Sequence, residues 1–191
     1  MFPEYTAAVY AMPRNIEIKA RISDTRAVEA LAAALSDTAP ELIEQEDTFF
    51  NVPRGRLKLR VFSPTKGELI FYERDDCAGP KCSLYSIVPT IDPSALKSLL
   101  SAALGVRAVV RKRRTLYLCG QTRIHLDDVE GLGDFLELEV VLTPEQRVEE
   151  GTAIASDLMR RLNIRPSDLV EGAYVDLLMR SSTARCGATG T

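Results

Sequence analysis

Two glutamates one residue apart, Glu137 and Glu139, stand in the alternating segment Phe135-Leu136-Glu137-Leu138-Glu139-Val140-Val141. A strand sends alternate side chains to opposite faces, so both carboxylates share a face, roughly 7 Å apart along the backbone. Hard oxygen donors at that spacing suit magnesium or manganese. Glu17, in Asn15-Ile16-Glu17-Ile18-Lys19-Ala20-Arg21, is a third candidate ligand and shares its face with Lys19 and Arg21. Asp127, in Arg123-Ile124-His125-Leu126-Asp127, is a fourth. The cationic counterpart comprises Lys58, Arg60, Arg74, Arg111, Arg113 and Arg123. Arginine forks bind phosphate oxygens in bidentate fashion, whereas lysine acts as a point charge. A divalent metal with five or six such cations would match a triphosphate, which carries about four negative charges near neutral pH.

Other chemistries are excluded or disfavoured. His125 is the single histidine, so no serine–histidine–aspartate arrangement rests on a choice among several, and it reads as an ordinary residue of a polar strand face. There is no GxxxxGK(S/T) loop, which excludes P-loop triphosphate binding. The basic run Arg111-Lys112-Arg113-Arg114 could suggest a nucleic-acid patch, but on a strand only alternate members share a face. With 24 basic and 27 acidic residues the net charge is −3, which also argues against nucleic acid as a partner. The four cysteines have neither CxxC spacing nor a histidine beside them, so a reduced, cytoplasmic protein without structural zinc is expected. No apolar run reaches the roughly 20 residues of a membrane span.

Elements that could position these side chains follow from the pattern. Strands are expected near 14–22, 46–51, 56–62, 68–74, 83–89, 107–118, 121–128 and 134–142, separated by glycine and proline turns. Most connections are too short for parallel crossovers, so the sheet is mainly antiparallel and the class is α+β. Asp24 can cap a helix with Val28, Leu31, Ala32 and Leu35 on its apolar stripe. Asp92-Pro93 opens a second with Leu96, Leu99, Leu100, Ala103 and Leu104 inside and Gly105 as its stop. Thr143 to Gln146 has capping-box spacing ahead of a stripe at Ile154, Ala155, Leu158 and Leu162. A shorter helix is expected from about Ser167 to Met179. Residues 1–12 read as a flexible N-terminal extension, 13–180 as the folded domain and 181–191 as a disordered tail.

Each strand has one apolar and one charged face. Amphipathic helices must cover the apolar face, which leaves the charged face either in solvent or turned inward. About eight strands suffice for a closed barrel, and closure removes exposed edges. A charged lumen needs internal compensation, because each desolvated unpaired ion costs several kcal/mol. An eight-stranded antiparallel closed barrel with a charged lumen, flanked by amphipathic helices, is therefore expected.

Asn15-Ile16-Glu17-Ile18-Lys19 resembles the ExExK signature of the CYTH domain, the triphosphate tunnel metalloenzymes. The block from Arg123 to Glu139 is similar to that family's second signature, and the resemblance runs from about Pro13 to Arg180. The family includes class IV adenylate cyclases, thiamine triphosphatases and inorganic triphosphatases, on an eight-stranded antiparallel tunnel barrel. The resemblance implies Mg2+ or Mn2+ at Glu17, Glu137 and Glu139, with Asp127 near the metal. It also implies phosphate-binding cations at Lys19, Lys58, Arg60, Arg74, Arg111, Arg113 and Arg123, with catalytic roles for Lys19, Arg113 and Arg123. Asn15 departs from the pattern, since it stands where the family has its first glutamate and offers one neutral oxygen instead. The motifs look closest to the class IV adenylate-cyclase-like branch, whose reaction converts ATP to cyclic AMP and pyrophosphate. Hydrolysis of inorganic or thiamine triphosphate, and non-catalytic binding of a polyphosphate or nucleotide, remain as alternatives.

Overall fold

Eight strands close on themselves through antiparallel pairs alone. In the computed structural model, which describes residues 13–187 and their side chains as far as Ser181, these are β1 (Arg14–Arg21), β2 (Glu41–Phe50), β3 (Arg56–Ser63), β4 (Lys66–Arg74), β5 (Lys81–Thr90), β6 (Val106–Cys119), β7 (Thr122–Val129) and β8 (Gly133–Val141). Their order around the barrel is β1-β5-β4-β3-β2-β6-β7-β8, with β8 pairing back onto β1. Four helices accompany them: α1 (Thr25–Leu35), α2 (Pro93–Leu104), α3 (Val148–Arg161) and α4 (Tyr174–Gly187). The expected α+β tunnel barrel is the one observed.

The two-residue beat explains which face is which. Ile16, Ile18 and Ala20 of β1 and Leu136, Leu138 and Val140 of β8 point outward and are buried under α1 and α3. Glu17, Lys19, Glu137 and Glu139 therefore point into the lumen. Asp24 caps α1 by accepting the Ala27 N–H at 3.0 Å, as its position suggested. The α3 stripe of Ala155, Leu158 and Leu162 joins the same core. Helix α3 and the sheet lie close at Gly151, where an added Cβ would lie 2.6 Å from Ile16 Cγ1 and 2.5 Å from Leu142 Cδ2.

Four local expectations are corrected. Strand β2 starts at Glu41, ahead of residue 46, because its first residues pair with β6 although their pattern carries no apolar alternation. Helix α2 leaves Leu99 65% exposed and Ala103 exposed, since it lies against the sheet with only one narrow side. The box spacing at Thr143 to Gln146 closes a turn, with the Gln146 side chain accepting from the Thr143 N–H at 3.0 Å. Helix α3 begins later, at Val148, where Glu150 accepts the Arg147 N–H at 2.8 Å. The single helix expected over 167–179 is instead a 3-10 turn at Pro166–Asp168, an extended link, and α4. In the link, Val170 N–H donates to the Lys19 carbonyl at 2.9 Å, and Gly172 takes a φ of 81° that interrupts a helix. Helix α4 then continues to Gly187, past Arg180, through residues of reasonable helix propensity such as Ala184 and Arg185. The expected extension at residues 1–12 and the last four residues of the expected tail lie outside the described residues.

The Gly151 contact generates a test. Gly151→Val should force α3 away from β1 at the cost of overpacking, about 1–3 kcal/mol. Urea unfolding should report this as a lower midpoint with an unchanged slope, and an unaltered midpoint would show that α3 is not pressed against Ile16.

Candidate active site

Side chains from all eight strands converge on one interior cavity of about 120 Å³. Along β1 the inward positions are Asn15, Glu17 and Lys19; along β8 they include Glu137 and Glu139. Strand β3 contributes Lys58 and Arg60, β4 contributes Tyr72 and Arg74, and β7 contributes Arg123 and, beside them, buried His125 and Asp127. On β6 the inward pair is Lys112 and Arg114, both buried.

That last placement corrects the sequence reading, which turned Arg111 and Arg113 inward. Both project from the outside of the barrel, with side chains 57% and 64% exposed, and pair with Glu46 at 2.9 Å and Asp128 at 3.0 Å. The basic run by itself permits either phase. Tyr117 decides it: this ring belongs to the outer core beneath α1, so alternation places residues 111, 113 and 115 outside as well.

The lumen cations are organised by two buried aspartates. Asp47 accepts from Lys58 Nζ at 2.9 Å and from Arg60 Nε at 2.9 Å. Asp127 accepts from Arg114 at 2.6 Å through both Nε and Nη2, from Lys112 Nζ at 2.9 Å and from the Tyr174 hydroxyl at 2.9 Å. Each aspartate thus clamps a lysine and an arginine two residues apart on one strand. With its oxygens so occupied, Asp127 is an ion-pair hub that shares Arg114 with Glu137. Sequence reasoning missed Asp47, Lys112 and Arg114, although the spacing Lys-x-Arg at 58–60 and again at 112–114 was a readable signal.

Next to the Asp127 clamp lies an acidic corner. Ligand atoms of His125, Glu137 and Glu139 all fall within 4.8 Å of one another. Glu137 also pairs with Lys19 and with Arg114 at 2.5 Å, Glu139 pairs with Arg123 at 3.3 Å, and Glu17 pairs with Arg74. Burial alone would raise the Glu137 carboxyl, but Lys19, Lys112 and Arg114 hold it well below its ordinary value. Burial likewise opposes ionisation of Glu139, yet the positive charge that His125, Arg114 and Arg123 can present holds it at about 2. Burial, reinforced by the Arg114 charge, drives His125 down to about 3, so its ring is neutral near pH 7. Its Nδ1 is buried without a hydrogen-bond partner. A neutral imidazole with an orphaned nitrogen beside two ionised carboxylates is a donor set that fits a divalent ion. His125 is thus buried at this corner, where the sequence suggested an ordinary residue of a polar strand face.

One end of the lumen is covered by the segment that starts α4. Tyr174 meets Phe135 edge-on at 5.0 Å between ring centroids, and Lys19 Nζ lies 3.3 Å from the Tyr174 ring centre. Burial, with the Asp127 and Glu137 charges, raises the Tyr174 phenol well above its ordinary value, so it remains a donor to Asp127. Asp176 ties the segment down through Arg56 at 2.8 Å and Arg107 at 2.9 Å.

Two outcomes are expected. Arg113→Ala removes an exposed pair and should change stability by no more than about 0.5 kcal/mol. Arg114→Ala takes from buried Asp127 and Glu137 the guanidinium they share, leaving Lys112 and Lys19 as their cations, and should cost about 3–5 kcal/mol, read as a large fall in melting temperature. Comparable losses in the two variants would contradict the inward phase of Arg114. The second outcome concerns pH, in protein free of divalent metal. Between about pH 6.5 and 3 the unfolded chain protonates His125 while the folded chain resists, so stability is complete above 6.5 and falls as pH drops. Glu137 and Glu139, depressed from 4.5, add to the loss below that value. His125→Asn should flatten the melting profile between pH 6.5 and 4.5; an unchanged profile there would place the histidine outside this linkage.

Comparison with known proteins agrees with this fold. The chain is 28% identical to adenylate cyclase CyaB of Aeromonas hydrophila, over 88% of this chain and 91% of the relative. The PH1012 protein of Pyrococcus horikoshii superposes with a TM-score of 0.75 at 27% identity, covering 85% of this chain and 98% of that one. A Hippeastrum protein reported with a dominant triphosphatase activity shares the fold at a TM-score of 0.61 and 19% identity, over 88% of this chain and 96% of that one. Residues 13–174 match the CYTH domain, and the chain belongs to the CYTH domain family.

Proposed function

We propose that this protein is a divalent-metal-dependent enzyme acting on a linear triphosphate, and that its reaction is the cyclisation of ATP to cyclic AMP and pyrophosphate. The observation that carries the reading is the charge balance of the lumen. Among the described residues, Lys19, Lys58, Arg60, Arg74, Lys112 and Arg123 line the cavity against the carboxylates of Glu17, Asp47, Glu137 and Glu139, and behind them Arg114 offsets Asp127 while Lys81 adds a further buried cation. The inner face thus keeps a positive excess, which a divalent ion would enlarge, and a triphosphate with roughly four negative charges would balance it.

His125, Glu137 and Glu139 would hold the ion, with Glu17 adjacent. Mg2+ or Mn2+ bound there would withdraw charge from phosphate oxygens as a Lewis acid. Lys58 and Arg60, and Lys112 with Arg114 behind it, are held in place before substrate arrives, so little reorganisation is needed when charge builds on the departing phosphate. Arg123 and Arg74 flank the acidic corner, and Lys19 reaches it from β1. In the cyclisation the ribose 3′ oxygen bonds to the α-phosphorus as the bond to the bridging oxygen breaks, releasing pyrophosphate and passing the hydroxyl proton to solvent. Similarity to a CyaB adenylate cyclase supports this choice. Attack by water on the same bound triphosphate would make the protein a triphosphatase. Cys77, Cys82 and Cys119 are free thiols, which supports a cytoplasmic location, and among the described residues no helix is long and apolar enough to cross a membrane.

Incubation with Mg2+ or Mn2+ and ATP, thiamine triphosphate or tripolyphosphate, followed by product separation, tests the reading. Cyclic AMP and pyrophosphate from ATP are expected. Orthophosphate from all three would replace cyclase with triphosphatase, and no turnover of any would overturn both. Glu139→Gln should lower turnover about tenfold or more at limiting metal, since it removes a charged ligand.

A further inference from the structure

Lysine carries its charge on a flexible four-carbon stem, so a lysine that serves an anion must be held without being neutralised. A carboxylate holds it and cancels it, whereas the face of an aromatic ring attracts an ammonium group and carries no net charge. Tyr174, the first residue of α4, is buried and lines the cavity. Its ring centre lies 3.3 Å from Lys19 Nζ and 4.7 Å from Lys112 Nζ. Both lysines are buried and line the same cavity. We propose that Tyr174 is a positioning residue, whose ring seats the ammonium groups of Lys19 and Lys112 and leaves their charge available to a bound phosphate chain. The proposal rests on the triphosphate reading above and adds to it the residue that aims two of its cations.

The ring is itself fixed in place. Its hydroxyl donates to Asp127 Oδ2 at 2.9 Å, Phe135 meets it edge-on, and Asp176 anchors the turn that follows through Arg56 and Arg107. The link before it reaches the same lysine from behind, since the Val170 N–H donates to the Lys19 carbonyl. Lys19 is therefore gripped at its backbone and at its ammonium group by one short stretch of chain. Its carboxylate partner, Glu137, is also proposed above as a ligand of the divalent ion. A carboxylate that binds a metal gives up part of its attraction for the lysine, whereas the ring keeps its own. Lys112 is in a similar position: Asp127 takes it at 2.9 Å, yet Arg114 and the Tyr174 hydroxyl share that carboxylate. Lys58, by contrast, stands 5.6 Å and 5.8 Å from the ring centres of Phe49 and Tyr72 and is held by Asp47.

Calorimetric binding of tripolyphosphate with Mg2+ to the full chain tests this. Tyr174→Leu should bind about tenfold more weakly than the natural protein, and Tyr174→Phe only about twofold, since it keeps the ring. A graded series separates the electronics of the ring from its bulk: Tyr174→Phe with one, two or three fluorines on the ring keeps nearly constant volume while the negative face weakens. Affinity should fall with each fluorine, by about tenfold over the series. Affinity that stays level across the series, or rises, would reduce Tyr174 to a plug in the barrel end and overturn the proposal while leaving the triphosphate reading intact. Tyr174→Phe as weak as Tyr174→Leu would move the effect to the hydroxyl and overturn it likewise. Should Tyr174→Leu fail to fold, the fluorinated series decides alone. Failure of the natural protein to bind tripolyphosphate would remove the triphosphate reading and this proposal with it.

Discussion

Everything in this molecule depends on keeping charges out of bulk water without leaving them alone. A closed barrel desolvates its inner face, and an unpaired ion there costs several kcal/mol. The two aspartate clamps answer that constraint. Asp47 and Asp127 each neutralise part of a Lys-x-Arg pair, and those pairs sit on β3 and β6 with β2 between them. Neither clamp cancels its pair completely. The residual positive charge is what an anion would meet on entering, and the same bonds that make the empty lumen tolerable hold the guanidinium and ammonium groups in position.

The acidic corner obeys the same constraint from the other sign. Glu17, Glu137 and Glu139 are each paired with a cation, yet they remain grouped along β1 and β8 rather than scattered. A neutral imidazole stands beside Glu137 and Glu139 and adds no charge to the corner. The outer face is organised by burial alone: aliphatic residues of β1, β7 and β8 under α1 and α3 make one continuous core. The barrel is thus a sheet whose two faces are stabilised by different physics, with strand alternation as the only thing separating them.

Alternation is also why so much was legible. Period-two patterning located all eight strands, and the polar inner faces of β1 and β8 named Glu17, Lys19, Glu137 and Glu139. It could not set the phase of β6, where four consecutive basic residues erase the contrast between faces; only Tyr117, six residues beyond Arg111, carried that information. Asp47 was hidden for a related reason. It lies in the acidic stretch Glu44-Gln45-Glu46-Asp47, whose glutamates lie on the outer face, Glu46 half-buried against Lys97 and Arg111, and whose aspartate faces in. The split of the C-terminal helix turned on Gly172 and on pairing with the Lys19 carbonyl, a long-range contact that no local window contains.

Strand order has a consequence for how the chain reaches this state. Strand β1 is made first, yet both of its neighbours come much later: Glu17 pairs with Lys81 on one side and with Glu139 on the other. Synthesis must therefore proceed through β8 before the first strand acquires its second partner, and until then β1 has an open edge. Contacts so distant along the chain are slow to form because loop closure precedes any reward. During that interval the inner charges stay hydrated, and only the last pairing strips their water away. Closure and dehydration should thus be one event, so that the final zipping of β8 onto β1 is the step at which this barrel commits to being folded.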